Sequence, residues 1–345
     1  MGDARAYIGS FTSAGGHGVT VARLDADSGA LTPLAATDAV PDPSYLALAP
    51  DRGVLYAVSE TEDGAAAALS VRDDVPELIA PPVPVRGSGP THLALADGRL
   101  LTANYGSGSV SCLPLGADSA PAGPVHVLRH EGTGPDPDRQ EGPHAHQVLP
   151  APAGGFVLTV DLGTDTVGVR TLADGALRVH RDVPMRPGSG PRHLAFHPDG
   201  HTVYVLNELA PTLTVCAWDP VAGQLTPRAE IPVLDGDPSG DAYPSEVVVA
   251  PDGRFVWTAT RGQDVISVLA ADPDAADGSG LRLTATVDCG GHWPRDLALH
   301  PSGRFLYAAN ERSGDVTWFT VDPETGLPRR GGSVPVPAAS CVVFG

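Results

Sequence analysis

The sequence predicts an all-β fold, a seven-bladed β-propeller of four-stranded antiparallel blades whose ring is closed by N- and C-terminal strands in one shared blade. Three observations predict it. A phrase made of proline, an alternating apolar run, a turn and a second apolar strand recurs about every fifty residues. Glycine and proline are abundant, 41 and 35 of 345 residues, without a collagen-like period, which suits many short strands joined by turns. The two ends of the chain carry pieces of one further unit.

Each copy of the phrase reads as a β-hairpin. The first runs from Pro43 through Tyr45 and Leu46 to the strand Val54–Val58, the second from Pro90 through His92 and Leu93 to Leu100–Asn104, and the third from Pro143 through His144 and His146 to Phe156–Val160. Pro191, Pro244 and Pro294 open three more. The seventh unit is split: Ala6–Ser10 matches a second strand, Gly18–Ala22 a third, and Ser340–Phe344 supplies the missing first strand. Closure by both termini leaves fewer free sheet edges to pair with foreign chains. One domain over residues 1–345 is therefore expected, with the Gly/Pro/Asp-rich stretches 132–143, 235–244 and 272–280 as inter-strand loops.

Composition narrows the function. Acidic residues outnumber basic ones 41 to 22, for a formal charge of −19, so phosphate backbones and anionic membranes are repelled and neither nucleic acid nor membrane is an expected partner. All the basic residues are arginines, which removes any Schiff-base mechanism through a lysine amine. The start Met1-Gly2-Asp3-Ala4-Arg5 has no leader pattern, Ala6 stands where myristoylation needs Ser or Thr, and no run of roughly eighteen apolar residues occurs. Cys112, Cys216, Cys289 and Cys341 lack C-x-x-C spacing. A cytoplasmic monomer is the default. There is no G-x-S-x-G elbow, and Gly87-Ser88-Gly89 lacks the lysine and helix of a phosphate loop, so neither a serine hydrolase nor a nucleotide cofactor is indicated.

Polar residues at strand starts crowd the mouth of an axial channel. His144, Arg192 and Arg295 each directly follow the repeat proline, which places them at equivalent points on three blades. His144 and His146 stand at i and i+2, on one face of a strand, a spacing able to chelate a metal with a third ligand such as Asp161; no metal is expected. Asn104 and Tyr105 suit a pocket wall and a tight strand-end turn equally. His193 and His197, within a packed strand and its turn, read as structural.

The chain resembles the seven-bladed lactonase family, which includes propeller-type bacterial 6-phosphogluconolactonases and fungal carboxy-muconate cyclases. The resemblance covers essentially the whole chain. It is carried by Tyr7-Ile8-Gly9-Ser10-Phe11-Thr12, Ala103-Asn104-Tyr105-Gly106, Glu141-Gly142-Pro143-His144-Ala145-His146, Asp161-Leu162-Gly163, Gly190-Pro191-Arg192-His193 and Asn207-Glu208. It implies a catalytic set of His144, Arg192, Glu208 and Arg261. On that footing His144 or Glu208 acts as general base and acid, Arg192 stabilises the oxyanion, and Arg261 with Arg295 holds a substrate carboxylate or phosphate. His146, Asn104, Tyr105 and Asp161 join Arg295 as substrate-binding candidates, while Glu208 is open to the plainer role of orienting Arg192. The implied activity is hydrolysis of a small anionic sugar-acid lactone without a cofactor, 6-phosphogluconolactone being the first candidate. A muconate-type lactonising cycloisomerase and a non-catalytic binding scaffold are the alternatives.

Overall fold

The computed structural model describes residues 4–275 and 278–345. The leader and acylation reading at Met1-Gly2 and the middle of the 272–280 stretch lie outside the described residues. Seven antiparallel sheets, the blades, form a ring, as the repeat predicts.

Blade 1 is ordered Ala339–Phe344, Arg5–Ser10, Val19–Leu24, Leu31–Thr37, so the two ends of the chain share it. The remaining blades follow in chain order, their first strands being Leu46–Ala49, Pro90–Ala96, Ala145–Pro150, Pro191–Phe196, Tyr243–Val249 and Pro294–Leu299 in blades 2 to 7. Neighbouring first strands touch one another around the ring, and Ala339–Phe344 touches those of blades 7 and 2. The first strands therefore line the axis.

What holds the ring is a series of equivalent interfaces. Seven apolar clusters lie one between each pair of adjacent blades, among them Ile8, Tyr307 and Val316 between blades 1 and 7, and Val160, Val205 and Trp218 between blades 4 and 5. Alternation along each second strand explains this: one set of side chains faces the preceding blade and the other the next. The outer edge of blade 2 departs from the pattern, because its fourth strand is broken into Glu77–Leu78 and Val83–Pro84. Pro76, Pro81, Pro82 and Pro84 remove the N–H donors a continuous ladder would need.

The four cysteines are buried free thiols. Among the described residues no helix is long and apolar enough to cross a membrane.

Candidate active site

Two backbone positions, repeated blade after blade, build the axial pocket. The first is a bulge near the start of the first strand. In six blades one residue is skipped in the pairing with the second strand: Ser340, Thr91, His146, Arg192, Ser245 and Arg295. A bulge re-aims the extra side chain out of the ladder. The register corrects the proline-based alignment in blade 4, where Ala145 pairs with Asp161 as Pro191 pairs with Asn207 and Pro294 with Asn310. His146 is thus the counterpart of Arg192 and Arg295, and His144 sits two residues earlier, at the rim. His144 stacks on Tyr105 with ring centroids 4.3 Å apart, and His146 meets the same ring edge-on at 5.6 Å.

The second position is the residue following the polar end of the second strand, where Phe11, Glu60, Tyr105, Leu162, Glu208, Arg261 and Glu311 stand in blades 1 to 7. The polar residue before it is architectural. Asn104 Nδ2 donates to Ser109 Oγ and Ser111 Oγ, Asn207 Nδ2 to Thr212 Oγ1 and Thr214 Oγ1, and Asn310 Nδ2 to Thr317 Oγ1. Asn104 is fully buried in this knot, so it ties a blade together and is not a substrate-binding side chain. Asp161 takes the same place in blade 4, accepting the backbone N–H of His144 at 2.9 Å and of Thr164 at 3.1 Å and pairing with His130 at 2.6 Å. With both oxygens occupied, it positions the His144 backbone rather than meeting a ligand.

The centre of the pocket is one carboxylate among three guanidinium groups. Glu208 lies 2.6 Å from Arg139, 3.0 Å from Arg192 and 2.7 Å from Arg261. Burial by itself would raise the Glu208 carboxyl, yet Arg261, Arg192 and Arg139 outweigh it and hold it down at about 2. So acidic a carboxyl is a weak proton acceptor at neutral pH, which favours the orienting role over the general base. Arg192, buried and beside Arg261, is brought down to about 10 and stays a cation. Its Nη1 donates to the Ser245 carbonyl, and Arg261 Nε donates to that of Tyr243. Arg192 Nε and Arg261 Nη2 are buried and each is ion-paired with the same oxygen of Glu208.

Arg139, which the sequence reading missed, lies on the loop before blade 4 and also reaches the Tyr105 hydroxyl at 3.4 Å. His144 Nδ1 lies 3.0 Å from the Tyr105 carbonyl oxygen, a pure acceptor. Nδ1 must therefore carry the proton, which leaves the lone pair on Nε2, 3.4 Å from the exposed Glu141. Arg295 lies between Glu60 at 3.4 Å and Glu311 at 3.2 Å and over the face of Phe11. It is engaged by these carboxylates rather than paired with Arg261 as an anion clamp.

One layer further along the axis, His92, His193, Glu246 and Asp296 are buried in register. Burial keeps both imidazoles neutral. Glu246 is hydrogen-bonded to Asp296 and lies 2.7 Å from His193 Nδ1. Burial pushes Glu246 up to about 7 against the pull of Arg192, and burial with the neighbouring Glu246 charge raises Asp296 further. The two acids therefore share a proton. Carboxyls that bind protons more tightly when folded stabilise the fold below the ordinary carboxylate range and lose that contribution as pH rises through about 7. Asp296→Asn retains an oxygen for the Val342 N–H and offers an amide to Glu246. It is expected to be more stable than wild type at pH 8, on the order of 1–3 kcal/mol, with the gap closing towards pH 4. Parallel melting curves for the two proteins across that range would show the pair to be ordinary carboxylates.

A surface hollow of about 780 Å³ lies between blades 2 and 3 against Arg52, Arg72 and Asp118 and gathers no acid–base set. Chemistry and not size places the site. Among the described residues no three His, Cys, Asp or Glu side chains are grouped to hold a metal.

The chain matches the family model described as "Lactonase, 7-bladed beta-propeller" over residues 5–344. It is similar to a Bacillus subtilis 6-phosphogluconolactonase, at 33% identity across 98% of this chain and 97% of that one. Among solved structures, it is similar to a periplasmic gluconolactonase of Pseudomonas aeruginosa, with a TM-score of 0.91, 30% identity and 99% of both chains covered. A Lactobacillus plantarum protein superimposes with a TM-score of 0.91 at 28% identity over 99% of both chains.

Proposed function

The chain belongs to the seven-bladed β-propeller lactonase family, and from that premise we propose that it hydrolyses a small anionic sugar-acid lactone, with 6-phosphogluconolactone as first candidate. The observation that carries this reading is a buried excess of positive charge, three guanidiniums on the single carboxylate of Glu208, with the His144 imidazole at the rim. Ester opening needs a base for water, a donor for the oxyanion and a proton for the leaving alkoxide. We assign the base and the proton donor to His144 and the oxyanion donor to Arg192.

His144 Nε2 takes a proton from water as the water oxygen adds to the lactone carbonyl carbon. The carbonyl electron pair moves to its oxygen, and Arg192 neutralises the oxyanion. As the tetrahedral species collapses, the ring C–O bond breaks and its electron pair leaves on the alkoxide, which takes the proton from His144 Nε2. The new carboxylic acid ionises, releasing one proton to solvent. Arg261 and Arg139, sharing the single counter-charge of Glu208, face the substrate's anionic group.

The test is the hydrolysis of freshly generated 6-phosphogluconolactone with and without a chelator. Chelator-resistant turnover is expected, with kcat reduced roughly 10²–10³-fold in Arg192→Ala, the usual cost of losing an oxyanion donor. A wild-type rate no greater than the spontaneous one overturns the reading and directs attention to muconate-type lactones, then to a binding role.

A further inference from the structure

The pocket is electrically two-sided. On the side of blades 5 and 6, Arg139, Arg192 and Arg261 share one carboxylate, Glu208. On the side of blades 7 and 2 the ratio inverts, with Glu60 and Glu311 sharing one guanidinium, Arg295. The first half has donors to spare. The second has acceptors to spare: two partly exposed carboxylates meet one guanidinium, and burial raises the Glu60 carboxyl although Arg295 and a hydrogen bond with Ser44 pull it down. Ionised carboxylates are acceptors only, so a ligand hydroxyl that donates to them makes a charge-assisted bond. Arg295 keeps the two carboxylates apart and is itself fixed over the face of Phe11 at 4.8 Å.

A ligand matching this pattern carries an anionic oxygen group for the three guanidiniums and hydroxyl donors for the two carboxylates. A dicarboxylate without hydroxyls would place negative charge against Glu60 and Glu311. We propose that Glu60 and Glu311, spaced by Arg295, form a hydroxyl-recognition subsite that restricts the pocket to polyhydroxylated anionic lactones. The proposal rests on the lactonase reading for the reaction but concerns recognition, which is measurable without turnover.

The experiment is calorimetric titration of the wild type, Glu60→Gln, Glu311→Gln and the double variant with 6-phosphogluconate and with 6-phosphohexanoate, which has the same charged ends and no hydroxyls. The wild type is expected to bind 6-phosphogluconate roughly 10–100-fold more tightly, since a site built to pair with hydroxyls discriminates against a ligand lacking them. In the double variant the ratio should fall to within about threefold, with affinity for 6-phosphohexanoate retained, which also certifies a folded pocket. Equal affinities in the wild type, no binding of 6-phosphogluconate, or a variant that loses both ligands in proportion each overturn the subsite. Hydrolysis of 6-phosphogluconolactone by the same wild-type sample, measured separately, shows whether the lactonase reading stands when the subsite falls.

Discussion

Replacing His144 with alanine should lower kcat for lactone hydrolysis by roughly 10²–10⁴-fold, the span ordinarily carried by a positioned acid–base group. The size of the effect follows from the lack of a substitute nearby. His146, His193 and His92 are buried and kept neutral by burial, and Glu208 is held too acidic by three arginines to accept a proton at neutral pH. His144 sits at the rim, with Nδ1 spent on the Tyr105 carbonyl and Nε2 turned towards the exposed Glu141. His144→Asn separates chemistry from architecture: the amide nitrogen can donate to that carbonyl, yet no lone pair remains to act as a base. The asparagine variant should melt like wild type and be as inactive as the alanine variant, with added imidazole restoring part of the rate to the latter. Activity in the asparagine variant within tenfold of wild type would move the base elsewhere.

The second large effect is on stability. Glu208→Gln leaves Arg139, Arg192 and Arg261 without their shared counter-charge, and removing one partner from a buried ionic cluster costs about 3–5 kcal/mol. Arg192 and Arg261 are themselves buried, so solvent screens little of their repulsion. Chemical denaturation should show the loss directly, and inorganic phosphate should raise the melting temperature of the variant more than that of wild type by occupying the vacated charge. A variant as stable as wild type, with no response to phosphate, would mean that the guanidiniums find other acceptors.

The ring was readable because its signal is periodic. Apolar alternation behind a recurrent proline identified every first strand, and Ser340–Phe344 revealed the shared blade. Where the repeat is interrupted, reading by proline failed. The loop before blade 4 carries its own prolines, and Pro143 is not the counterpart of Pro191, so His144 was aligned with Arg192 when His146 holds that place. Of the two roles open to Asn104, its recurrence with Asn207 and Asn310 at one register position, each tied to its own hairpin, favours the strand-end turn. Glu60 and Glu311 were legible in principle, since Ser59-Glu60 and Asn310-Glu311 repeat the position of Asn207-Glu208. Arg139 was not legible, because it lies outside the repeat and only the folded loop brings it to Glu208.

The contact between Arg295 and Glu60 joins side chains on the two blades that flank the shared one. Each blade can gather its own strands from local sequence, but this contact exists only when Ala339–Phe344 has docked beside Arg5–Ser10 and drawn blades 7 and 2 to their final separation. The pocket is therefore a property of the closed circle and not of any sector of it. A chain with six well-formed sectors and an open seam would hold nearly all its native hydrogen bonds and still have one half of its recognition surface out of reach of the other, so the appearance of ligand affinity during refolding timestamps the closing of the seam.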